Sequence, residues 1–295
     1  MVVEVAHVPV PAVPVLVLAL AAAGKFSMTD PDADGQPDLA ESKHPTNNLL
    51  ATPALPRREL LELQSSWLAP ARSRILRRNA IARKHRILDL GAGYGQVTVE
   101  LARRSSGLVT AYDLSESALR ETEKVPGIVR IAGDAANLPF RGSSFDMVFS
   151  QFALLWIKPL PQTLGEIMRV LEPDGVLVAL EPDYAAMIEY PPAVATRQLW
   201  LDALVRSGAD PTIGRKISGL LAALGFSVRV GLLEQIQPPS PQRFEFLEDL
   251  PLTEIERSRL RDIRKLAADQ STGEGHQISH LPVFLITAIK GASKS

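Results

Sequence analysis

The stretch "LDLGAGYGQ", residues 88–96, places three glycines in five positions directly after an apolar run that opens with Ile87. A turn this rich in glycine lets the backbone approach a ligand closely, and it commits the preceding run to a strand and the following one to a helix. The rest of the chain agrees with that commitment. "RILDL" (86–90), "GLVTAYD" (107–113), "GIVRIAGD" (127–134), "FDMVFSQ" (145–151) and "GVLVALEP" (175–182) read as five strands. Between them, "QVTVELARRS", "SESALRETEK" and "PQTLGEIMRVLEP" read as helices. Strands alternating with helices of this length form βαβ units, hence an α/β fold with a doubly wound, Rossmann-like parallel sheet and ligands at the carboxyl ends of the strands.

Beyond Pro182, "PPAVATRQLWLDALVRSGA" and "IGRKISGLLAALGF" predict two helices, the second closed by Gly225. "SVRVGLLEQ" (227–235) and "LPVFLITAIKG" (281–291) predict two more strands. The residues between them, 236–280, carry helical spacing at Leu252, Ile255, Ile263 and Leu266 and predict a helical lid, since a long insertion in a compact domain is usually functional. The run 57–86 is helical at its start and holds nine Lys or Arg against Glu59 and Glu62; it predicts a solvated helix surface covering the ligand site.

Residues 1–50 predict a disordered or loosely attached tail, and residues 51–295 the folded domain. The first 24 residues are apolar, but Glu4 and the prolines at 9, 11 and 14 interrupt them and no Lys or Arg precedes them. They suit neither a secretory signal nor a spanning helix, so stable membrane insertion is not expected. Met28, opening the polar stretch that follows, is a second candidate start. The chain has no cysteine, which removes thiolate metal ligands and a cysteine nucleophile and suits a reducing, cytoplasmic compartment. No metal site is expected. The formal charge of −1 gives no general attraction to nucleic acid.

The glycine turn departs from the two common phosphate loops. Gln96 stands where a dinucleotide fingerprint needs glycine, and "GQV" stands where a P-loop needs Gly-Lys-Ser/Thr. Asp89, ahead of the glycines, would repel a pyrophosphate and attract an ammonium group. Asp113 ends the second strand, where a carboxylate can accept both ribose hydroxyls; Asp134 ends the third, where it can accept from an adenine amine. An uncharged adenosine joined to a cationic amino acid answers this set, and that ligand is S-adenosylmethionine.

With "ILDLGAGYG", "YDLS", "GDAANLPF", "FDMVFSQFAL" and "EIMRVLEPDGVLVALEPD" in order over residues 86–183, the chain resembles the class I S-adenosylmethionine-dependent methyltransferases, in particular those similar to the ubiquinone and menaquinone biosynthesis enzymes. The resemblance implies a seven-stranded sheet whose last strand runs antiparallel. It also implies that Asp89 and the loop Gly91, Ala92, Gly93, Gly95 face the methionine part, Asp113 and Leu114 the ribose, and Asp134 and Ala135 the adenine, with Gln151 and Phe152 closing the site. No general base stands out; His276, His280, Glu181 and Tyr184 are weak candidates, alongside Asp183 and Tyr190. "SQFALLW" replaces the Asn/Asp-Pro-Pro-aromatic motif found in enzymes that methylate base amines. The expected acceptor is therefore a small, partly apolar molecule methylated on O, N or C. The alternatives are a nucleic-acid or protein methyltransferase and a non-catalytic protein that binds the cofactor.

Overall fold

The computed structural model describes residues 55–233, 239–269 and 277–292, which fall in one compact unit, Thr52–Ser295. The expected tail, 1–50, lies outside the described residues, as do the lid positions 236–238 and 270–276.

All seven strands read from the sequence form one sheet. β1 is Arg86–Leu90, β2 Leu108–Asp113, β3 Ile128–Ala132, β4 Phe145–Gln151, β5 Leu171–Pro182, β7 Phe226–Leu232 and β9 Val283–Lys290. Their order is β3-β2-β1-β4-β5-β9-β7. β1 to β5 pair in parallel, and β9, the last in the chain, inserts between β5 and β7 antiparallel to both. The expected antiparallel strand is thus present one position in from the edge.

Alternation along the strands sorts their side chains onto two buried faces. Leu88, Val148 and Leu177 face one cluster, closed by Leu164 and Ile167 of α4 (Leu160–Val170) and Ile213 and Ile217 of α6 (Ile213–Ala223). Ile87, Met147 and Val178 face the other, closed by Leu68 and Leu76 of α1 (Arg58–Arg78) and Leu101 of α2 (Gln96–Arg104). The order reverses direction between β1 and β4, which opens a crevice beyond their carboxyl ends where such sheets take ligands. The turn after β1 sits there.

α3 (Glu116–Arg120) is shorter than "SESALRETEK" suggests: it spans one turn and a half, with Ser115 as its cap. α6 ends as expected, with Gly225 at φ +93°. Past β5 the chain forms the short strand β6 (Ile188–Tyr190) and α5 (Arg197–Arg206). The lid contributes α7 (Arg243–Glu248), α8 (Glu254–Asp269) and β8 (Ile278–His280), the last pairing antiparallel with β6. Its core joins Leu199 and Ala203 of α5 to Phe244, Leu247, Leu260 and Ile263. Of the spacing read in the lid, Leu252 and Ile263 are buried, but Ile255 (83% exposed) and Leu266 (42%) are not. The face α8 buries is Leu260, Ile263 and Ala267, a cleaner three-and-four repeat.

No helix among the described residues is long and apolar enough to cross a membrane.

Candidate functional site

The glycine turn is pinned from three sides. Gly91 and Ala92 both donate their backbone N–H to the Tyr112 carbonyl at the end of β2 (2.8 and 3.1 Å). Gly91, Gly93 and Gly95 take φ of +76°, +53° and +81°, the left-handed region that a side chain enters only at a cost. At Gly91 a second constraint applies: a Cβ there would lie 2.2 Å from Ala153 Cβ in the turn after β4. Two strand-end turns therefore touch at a point that admits only glycine.

Asp113 provides the third restraint. Its Oδ2 accepts from Gly93 N and its Oδ1 from Ser115 N, both at 2.8 Å, so one carboxylate ties the glycine turn to the start of α3. The neighbouring Leu114 is 56% exposed. Asp134 Oδ1 accepts from Ala136 N at 2.9 Å, a local turn bond, and Tyr112 OH donates to the Asp134 carbonyl. The half-buried Ala135 lies between them.

Asp89 is 2% exposed. Burial pushes its carboxyl up to about 7; Thr98 Oγ1, donating at 2.5 Å, and the charge of Arg72 oppose the rise, and Asp113 adds to it. A cation placed beside Asp89 would favour its charged form.

Arg72 is the residue that sequence reasoning missed. Within a run read as a solvated surface, it is 3% exposed. It pairs with Glu100 (2.6 Å), donates to the Ser65 carbonyl (3.0 Å), and donates to Gln151 Oε1 (3.0 Å). Gln151 therefore faces α1. Leu61 of the same helix reaches to within 3.9 Å of where a Cβ on Gly93 would be, so α1 does cover the turn as expected. Between α1 and the start of α2 lies a cavity of about 360 Å³ lined by Arg58, Glu62, Ser65, Arg72, Tyr94 and Gln96, among others.

Phe152 follows β4 at φ +53° and packs against both clusters of the core. The turn it opens is held by Glu181, fully buried at the end of β5, whose Oε1 accepts from Ala153 N (3.3 Å) and Leu154 N (3.0 Å). Burial pushes this carboxyl up to about 8 against those bonds. Tyr184 is 5% exposed, stacks on Trp200 with centroids 4.9 Å apart, and has its hydroxyl pushed above the usual range by burial. Asp183 is paired with Arg215. Glu181 and Tyr184 are thus packed into the frame of the site. Tyr190, on β6, is 58% exposed. His280 is half-buried on β8 with its imidazole pKa lowered by burial, and His276 lies outside the described residues.

α7 closes over α1. Trp67 and Phe246 lie with centroids 5.8 Å apart, and Arg57 pairs with Glu245 and Asp249 (3.4 and 3.3 Å).

Comparison with known proteins accords with this arrangement. Residues 88–179 match the family described as "Methyltransferase domain". The chain is similar to the arginine-hydroxylase NDUFAF5, mitochondrial, of Mus musculus: 30% identical over 165 residues, 55% of this chain and 48% of that protein. It is also similar to the malonyl-acyl-carrier-protein O-methyltransferase of Halorhodospira halophila, 39% identical over 112 residues, 36% of this chain and 38% of that one. The chain spans about half the length, or less, of these curated relatives. Among solved structures, BH2331 of Bacillus halodurans C-125, assigned as a methyltransferase, shares the fold with a TM-score of 0.54 at 18% identity, over 75% of this chain and 98% of that one. Fold and family match meet on β1 to β5 and the glycine turn they carry: residues 88–179 are similar to the methyltransferase-domain family, and the sheet around them has the fold of BH2331.

Proposed function

We propose that the chain transfers the methyl group of S-adenosylmethionine to a small, partly apolar acceptor. The observation that carries this reading is Asp113, whose carboxylate joins the Gly93 amide to the strand end where ribose hydroxyls bind in sheets of this type. The remaining donor set fits the same cofactor. Asp89, buried and bonded by Thr98 Oγ1, is suited to the ammonium of the methionine part. Gly91, Ala92, Gly93 and Gly95 let that part lie against backbone. Leu114 offers an exposed apolar face to the ribose and adenine, and Asp134 and Ala135 border the adenine edge. Phe152 and Gln151 close the β4 side, Gln151 oriented by Arg72.

The bound cofactor supplies an electrophilic methyl on a sulfonium, with a thioether as leaving group. An electron pair of the acceptor atom would take that methyl as the sulfur–carbon bond breaks, the pair of that bond staying on the sulfur. The protein's part is to align the two along one axis, which can supply on the order of 7–11 kcal/mol. A proton acceptor is needed only where the acceptor atom stays protonated, so the sealed positions of Glu181 and Tyr184 are compatible with transfer.

Likeness to an arginine-hydroxylase supports a second reading, oxygen insertion on the same frame. One experiment separates them: the full chain is incubated with methyl-labelled cofactor and a metabolite extract, and products are weighed by mass spectrometry. Label on an acceptor with release of S-adenosylhomocysteine is the expected result. Gain of oxygen without label supports the hydroxylase reading, and binding without either product the non-catalytic one.

A further inference from the structure

The lid holds a cation that no carboxylate among the described residues pairs with directly. Arg243, at the start of α7, lies with its guanidinium 4.3 Å from the centre of the Phe244 ring, and its Nε is buried without a hydrogen-bond partner. Its outer nitrogens reach the Ser240 carbonyl and Gln277 Oε1 only at 3.4 Å each. The nearby carboxylate is Glu189 of β6, which acts on it through space, but Glu189 is already committed. Its Oε1 accepts from Thr196 N and Oγ1 (2.8 Å each) and its Oε2 from Arg197 N (2.9 Å), capping α5. Arg72, Arg206, Arg215 and Arg264 each have a carboxylate within 3 Å. A guanidinium cannot shed its charge, and a desolvated cation with long bonds to neutral oxygens carries a cost that a bidentate oxyanion would offset.

Its partners stand on segments that flank the carboxyl end of β5, the edge of such sheets where ligands bind. Gln277 leads directly into β8, which pairs with β6, and β9 then starts at Val283 opposite Pro182, the end of β5. The same helix, α7, touches α1 over the glycine turn through Phe246 and Trp67. The residue as a whole is only half-buried, while its Nε is sealed.

We propose that Arg243 binds an oxyanion, a carboxylate or phosphate, on the methyl acceptor, so that the lid selects anionic substrates. The proposal rests on the methyltransferase reading above.

The test uses the full chain saturated with S-adenosylhomocysteine and follows thermal unfolding with propionate, with phenyl phosphate, and with uncharged propionamide. In the wild type, Tm rises with the concentration of one or both anions and stays flat with propionamide. A response to propionate alone assigns a carboxylate, to phenyl phosphate alone a phosphate. In Arg243→Met the anion response is lost, S-adenosylhomocysteine affinity is unchanged, and Tm without anion is no lower than in the wild type, because the charge removed has no carboxylate bonded to it among the described residues. Arg243→Lys keeps the charge and retains part of the response. An equal response in Arg243→Met, a fall in its anion-free Tm, or no response of the wild type to either anion while it binds S-adenosylhomocysteine would overturn the assignment. Failure of the wild type to bind S-adenosylhomocysteine at all overturns instead the reading on which it rests.

Discussion

Replacing Gly91 by alanine tests the claim that two strand-end turns are fitted to one another. The change has two costs. The residue sits at φ +76°, which charges an alanine about 1–2 kcal/mol. Its new Cβ would also lie 2.2 Å from Ala153 Cβ, and an overlap against a turn held by Glu181 calls for backbone movement, an overpacking cost of about 1–3 kcal/mol. Gly93→Ala separates the two, since its φ is +53° and its nearest neighbour would be Leu61 Cδ1 at 3.9 Å, leaving the backbone cost alone. Urea unfolding, with m checked for constancy, should therefore show Gly91→Ala less stable than Gly93→Ala by about 1–3 kcal/mol. Ala153→Gly, introduced into Gly91→Ala, removes the overlapping methyl and should recover most of that difference as a coupling energy. Calorimetric titration should show the same ranking in cofactor affinity. Equal destabilisation by the two glycine variants, or no recovery in the double variant, would refute the packing argument.

Three further outcomes follow from the same geometry. Asp113→Asn should weaken cofactor binding by about 1.5–3 kcal/mol in calorimetry, because the amide cannot accept on both sides of the turn; unchanged affinity would remove Asp113 from the ribose site. Arg72→Met should destabilise the fold in urea by less than the about 3–5 kcal/mol usual for breaking a buried pair, since Glu100 keeps Arg104 at 2.6 Å. Glu181 holds its proton up to about pH 8 in the fold, against an ordinary value of 4.5. The stability contributed by the protonated Glu181 is therefore fully present below about 4.5 and is lost as pH rises through about 8, whereas Glu181→Gln should be free of that loss. Unfolding curves at about pH 5 and pH 8.5 check it, and parallel profiles for the two proteins would count against a proton held by Glu181.

The central strands are legible in the sequence because each is bounded by its own chemistry. A glycine or aspartate stands at the ends of the first three, and apolar residues continue through both faces of a buried parallel sheet. What escapes depends on partners far along the chain. β6 and β8 have three residues each, and neither carries a signal until the other is opposite, some 90 positions away. Arg72 looks like any of nine basic residues until Glu100 and Gln151 close on it. α8 is a helix as the spacing predicts, but its buried face differs for a local reason: Ile255 and Leu266 lie off the stripe of Leu260, Ile263 and Ala267 that meets α5 and α7. For the site, acids at strand ends and the glycine turn are visible in sequence. Which carboxylates are sealed, as Glu181 is, and which cations have no carboxylate bonded to them among the described residues, as with Arg243, are visible only once the chain is folded.

The place of β9 in the sheet has a consequence for how the protein is made. During synthesis β5 presents an open edge, and β7, whose sheet pairing is with β9 alone, has no strand to join. Both wait for Val283–Lys290 to leave the ribosome. Until then the nascent chain exposes two backbone edges and the apolar faces of Val178, Leu180 and Phe226, the kind of surface that invites association with other chains. A stop codon before residue 283 would leave that state permanent, so a chain without β9 is expected to yield aggregate or a chaperone-bound chain, with the whole glycine turn intact in the sequence and no sheet closed beneath it.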